Sequence, residues 1–83
     1  MTLAELAEQI PNKQDVCLVL FTKLIEAGII TSEDTSSRVR IEVPLADHPH
    51  ARADAHAYGI PIVATHYVTE ATVFVDGEPW SIE

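Results

Sequence analysis

The sequence predicts an α+β domain with two N-terminal helices, a third helix, and a small, mostly antiparallel sheet that ends in a β-hairpin. Three observations carry this reading. Apolar residues recur at spacings of three and four through the first third of the chain. From Arg38 to Val43 the period falls to two, which is the signature of a half-buried strand. Near the C-terminus, Asp76-Gly77 separates two strand-like runs, and Asp-Gly is a strong signal for a type I′ hairpin turn.

The first helix starts at Leu3. Thr2 can cap it, and Glu5 stands where a capping box needs an acid. Leu3, Leu6, Ala7 and Ile10 form one apolar face, and Pro11 stops the helix. A second helix runs from about Gln14 to Ala27, and Gly28 supplies a left-handed end. Val16, Cys17, Leu18, Leu20, Phe21, Leu24, Ile25 and Ala27 cover most of its circumference. Asp15, Thr22, Lys23 and Glu26 make a polar strip that Val19 interrupts. So apolar a helix in so short a chain is expected to be covered on two sides, either as the central helix of the core or, alternatively, through a dimer or partner interface.

Residues 31–37 read as a polar loop. In the strand that follows, Val39, Ile41 and Val43 face the core, while Arg38, Arg40 and Glu42 face away; Pro44 ends it. Asp47 can cap the third helix, and Ala51, Ala53, Ala55 and Ala57 favour its body. Gly59 and Pro61 end it, and a strand then runs from about Ile60 to Val68. The last two strands, Ala71 to Val75 and Glu78 to Ile82, flank the Asp-Gly turn.

Composition bounds the function. The chain has 83 residues, enough for one domain (1–83) and a thin core. No apolar run approaches the roughly 20 residues that span a bilayer, so membrane insertion is not expected. The N-terminus lacks a basic stretch followed by an apolar one, which predicts no secretory signal and a cytoplasmic location. One cysteine excludes an intramolecular disulfide and a Cys-based metal finger. Asp and Glu number 13 against 5 Lys and Arg, a net charge of −8. Nucleic-acid binders usually carry the opposite balance, because their affinity comes from neutralising phosphates. An acidic surface instead suits a partner with a basic one.

Residues 2–43 resemble part of a winged helix-turn-helix. Thr2-Leu3-Ala4-Glu5-Leu6-Ala7-Glu8-Gln9-Ile10 is similar to that family's second helix. The next helix stands in the recognition position and closes with Lys23-Leu24-Ile25-Glu26-Ala27-Gly28-Ile29-Ile30, similar to the family's usual ending. Arg38–Val43 stands where a wing would. No first helix precedes Leu3, and the turn carries Pro11. Base readout needs polar side chains in the major groove, yet the recognition position offers Asp15, Val16, Cys17, Leu18 and Val19. Lys13, Gln14, Lys23, Arg38 and Arg40 are left to touch DNA. The resemblance therefore implies a relative that lost DNA contacts and serves in docking or dimerisation, with a DNA-binding transcription regulator as the alternative.

The candidate chemistry is sparse. His48, His50 and His56 lie close together, with His66 on the next strand; His50, Asp54 and His66 form the metal-binding alternative, and the histidines together the pH-sensing one. No standard spacing supports it, and no metal or cofactor is expected. Cys17 lies on an apolar helix face far from any His in sequence, and Ser36, Ser37 and Ser81 lack a nucleophile motif. There is no phosphate-binding loop, and no catalytic residue is assigned. The stretch from Thr69 to Glu83 holds Glu70, Asp76, Glu78 and Glu83 around Trp80 and no base. Trp80, Glu78, Asp76, Glu70 and Tyr67, with Val19 and Lys23 of the second helix, are the expected partner-binding residues. The sequence thus reads as a small acidic non-catalytic module that docks on a partner protein and inhibits or regulates it. Such composition fits inhibitors, including those encoded by phages and mobile elements. A homodimer through the second helix is the expected assembly.

Overall fold

The computed structural model describes residues 1–31, 33, 38–47, 50 and 55–82. Among these residues two helices, α1 (Leu3–Gln9) and α2 (Lys13–Glu26), precede five strands: β1 (Val39–Pro44), β2 (His56–Ala57), β3 (Ile60–Thr65), β4 (Thr72–Val75) and β5 (Glu78–Pro79). The strands form one sheet in the order β2-β3-β1-β4-β5.

Both helices form for local reasons. At α1, the Thr2 side chain accepts a hydrogen bond from the Glu5 backbone N–H at 3.1 Å, and the Glu5 carboxylate accepts one from the Thr2 N–H at 3.3 Å. This capping box satisfies two of the free donors at the helix start. Asn12 caps α2 through its side chain on the Gln14 N–H, 2.9 Å away. At the other end Gly28 takes φ 74°, so that the Gly28 and Ile29 N–H groups reach back to the carbonyls of Ile25 and Leu24. That is a Schellman ending, and it turns Ile29 back onto the core.

The core lies between the helix pair and one face of the sheet. Leu3, Leu6, Val16, Leu20, Leu24 and Ile30 meet Val39, Ile41, Ile60, Val73 and Ile82 there. Val16, Leu20 and Leu24 are four apart, so α2 turns one stripe inward. The stripe on its opposite side is not covered: Leu18 and Ile25 are 47% and 40% exposed. Among the described residues no helix is long and apolar enough to cross a membrane.

Two features overturn the expected architecture. First, the described residues hold two helices rather than three. Asp47 lies in a turn, with its N–H bonded to the Pro44 carbonyl. Residues 48–49 and 51–54 of the expected third helix lie outside the described residues. Its last part is strand: His56–Ala57 pairs antiparallel with Pro61 and Ile60. Tyr58 and Gly59 form the connecting turn with φ 51° and 80°, both positive as a type I′ turn requires. Second, the sheet is mixed rather than mostly antiparallel. β1 and β3 run parallel, in the register Ile41↔Ile62 to Pro44↔Thr65. Parallel neighbours need a long crossover, and residues 45–59 supply it with β2 inside. Beyond these corrections, β4 pairs antiparallel with β1 and with β5. Asp76 and Gly77 make the closing turn at φ 54° and 85°. The strand from Ile60 stops at Thr65, short of the expected Val68.

On the sheet face away from the helices, alternation places Arg40 and Glu42 of β1 beside Phe74 and Thr72 of β4. Glu42 was expected to face solvent, yet it is 9% exposed. Arg40 Nε bonds its carboxylate at 2.8 Å, and the guanidinium sits 4.6 Å from the centroid of the Phe74 ring.

Candidate functional site

After the Asp76–Gly77 turn the chain runs back along β4, and the Trp80 N–H bonds the Val73 carbonyl at 2.8 Å. The pairing carries on past β5: the Ile82 N–H bonds the Met1 carbonyl, and the Met1 ammonium bonds the Ile82 carbonyl and the Ser81 hydroxyl. Trp80 is thereby fixed in the gap between the end of α2 and the start of α1. Its ring is half-buried and packs on the core.

Trp80 and Ser81 form the wall shared by two shallow grooves. One, of about 300 Å³, is completed by Lys23, Glu26 and Ala27 of the last turn of α2. The other, of about 360 Å³, is bounded by Thr2, Leu3, Glu70, Thr72, Val73 and Pro79. In the second groove Glu70 is the one charged lining residue among the described residues. The first has Glu26 and Lys23, neighbours at i and i+3 on the last turn of α2. An indole with a carboxylate on each side, on a chain of net charge −8, is suited to hold a cationic side chain. Arg does this best, stacking its planar guanidinium on the ring while bonding a carboxylate.

Three of the expected partner-binding residues meet here: Trp80, Lys23 and Glu70. Glu78 is exposed on β5, two residues before Trp80. Asp76 is engaged elsewhere. Its carboxylate accepts three bonds from Arg38, the shortest 2.7 Å, and that guanidinium lowers its pKa. Val19 is half-buried and packs against the core. Tyr67 is 93% exposed, but it precedes β4 and sits at the end of the sheet opposite the Asp76–Gly77 turn. Thr2, Leu3, Glu26 and Ser81 were not anticipated. Glu26 was legible, since Val19, Lys23 and Glu26 follow helical spacing along one flank of α2. The α1 residues were not, because only the tertiary fold brings the chain start beside Trp80.

The remaining chemical candidates stay apart. Burial pushes the Cys17 thiol above its ordinary pKa, the opposite of the shift that activates a nucleophile. His56 lies on β2, and His66 is exposed in the turn after β3; His48 and Asp54 lie outside the described residues. Among the described residues, no three His, Cys, Asp or Glu side chains come together to hold a metal ion. The chain matches no family model, no curated protein and no solved structure.

Proposed function

We propose that this chain is a non-catalytic docking module of the cytoplasm that binds a basic surface of a partner protein and blocks or regulates it. The observation that carries the proposal is Trp80 standing between two grooves, with Glu26 in one and Glu70 in the other. A cationic side chain of the partner enters a groove, stacks on the indole and meets a carboxylate. The net negative charge steers the encounter. The positive charge that nucleic acid would need is scarce. Arg38 is bonded to Asp76, and Arg40 to Glu42, which leaves Lys13 and Lys23 among the described cations to meet phosphates.

Affinity capture from the native host's lysate tests the proposal. Wild-type chain on a support is expected to retain a basic protein that salt releases, and Trp80→Ala and Glu70→Lys are each expected to lose it. If the same proteins bind all three baits equally, the Trp80 site is not the docking surface.

A further inference from the structure

We propose that the outer side of α2 is a second docking surface, and that it receives an amphipathic helix of a partner protein with an apolar stripe and a basic flank. It shares Glu26 with the Trp80 site but uses none of that site's other residues. Leu18, Phe21 and Ile25 stand at positions i, i+3 and i+7, so they form a straight stripe of about two turns. This is the anchor spacing with which one helix engages another. Leu18 and Ile25 lie opposite Val16, Leu20 and Leu24 and stay exposed, while Phe21, at the edge of the stripe, also packs on the core.

The fold widens this stripe by an independent device. Tyr58 lies in the turn between β2 and β3, and its ring stacks on Phe21 with centroids 5.3 Å apart and planes at 24°. The ring still leaves Tyr58 48% exposed. To put it there the backbone adopts φ 51°, a left-handed conformation that bulky residues avoid. Strain held against local preference gathers at functional surfaces. Here its product is an aromatic extension of the apolar face of α2.

Charge chooses the occupant. One flank of the stripe carries Asp15, Thr22 and Glu26, while Lys13 and Lys23 project on the core side of the helix. A partner helix with Lys or Arg beside its apolar stripe complements that flank. A second copy does not. In an antiparallel two-fold pair the same flanks meet, which brings Asp15 of one copy towards Glu26 of the other, and each chain carries a net charge of −8.

The test uses the full chain and a fluorescent synthetic Leu/Lys amphipathic helix of about 18 residues. Two controls have equal length: a Leu/Glu helix and a Ser/Lys peptide that cannot present an apolar stripe. Anisotropy is expected to show the Leu/Lys helix binding saturably and about tenfold or more tighter than either control. The double variant Leu18→Glu/Ile25→Glu is expected to weaken it about tenfold or more, and Trp80→Ala is expected to leave it unchanged. Both Glu substitutions fall on exposed positions, and the milder Leu18→Ala/Ile25→Ala pair provides a check if the first variant melts early. Three results overturn the proposal: equal binding of either control, indifference to both double variants, or loss of binding in Trp80→Ala. Light scattering that finds a wild-type dimer, converted to monomer by Leu18→Glu/Ile25→Glu, assigns the face to a second copy instead and also overturns it.

Discussion

Leu24→Ala is expected to destabilise the fold by about 2–5 kcal/mol. Leu24 is 0% exposed and lies where α2 meets the sheet. Truncation removes its transfer energy and leaves a cavity, and the Schellman ending that starts at the Leu24 carbonyl limits how far the helix end can collapse into it. A domain of this size has roughly 4–12 kcal/mol in total. The loss is therefore a large share of the whole, worth about 10 °C or more in melting temperature. Leu18→Ala is the matched control on the same helix. Leu18 is 47% exposed, so the change is expected to stay within about 0.5 kcal/mol. Thermal melts of both variants test whether α2 has one buried face and one free face. Equal losses would show that the outer stripe is also buried.

Arg40→Ala is expected to cost about 2–3 kcal/mol. The side chain is the ion-pair partner of Glu42, whose side chain is 11% exposed, and it also stacks on Phe74. Removing it leaves a nearly buried carboxylate without its countercharge, which costs several kcal/mol in a fully buried pair. Arg40 is itself 43% exposed, so water offsets part of that penalty. The reverse truncation is milder, because an unpaired Arg40 can turn to solvent. The double variant Arg40→Ala/Glu42→Leu is therefore expected to be more stable than Arg40→Ala alone. Urea unfolding of the wild type, Arg40→Ala, Glu42→Leu and the double variant gives the coupling directly. Additive losses would mean that Arg40 contributes through packing and does not neutralise Glu42.

The legible parts of this fold are those fixed by contacts a few residues apart. The Thr2–Glu5 box, the Gly28 ending and the Asp76–Gly77 turn each follow from local backbone needs, and each forms at its expected place. The failures are non-local. Alanines around residue 55 favour helix, but His56–Ala57 is strand because Tyr58 and Gly59 turn the chain onto β3. Nothing in a Tyr-Gly pair signals a type I′ turn as Asp-Gly does. The stacking partner of Tyr58 is Phe21, far away in sequence. Period-two alternation located β1 but carries no information about strand direction, so the parallel β1–β3 register was out of reach. The same limit applies to the candidate site. An aromatic beside acids marks Trp80 in the sequence, whereas the grooves beside it exist because α1 and the end of α2 converge there.

Trp80 is the only tryptophan in the chain, so its emission reports on the proposed site without a label. Titration with a short capped arginine peptide, beside lysine and glutamate peptides of equal length, tests docking at Trp80 most directly. The arginine peptide is expected to change the emission saturably and more tightly than the lysine peptide, the glutamate peptide not at all, and Glu70→Lys is expected to weaken the response about tenfold. An emission spectrum indifferent to the arginine peptide, or a response that Glu70→Lys leaves intact, would contradict it.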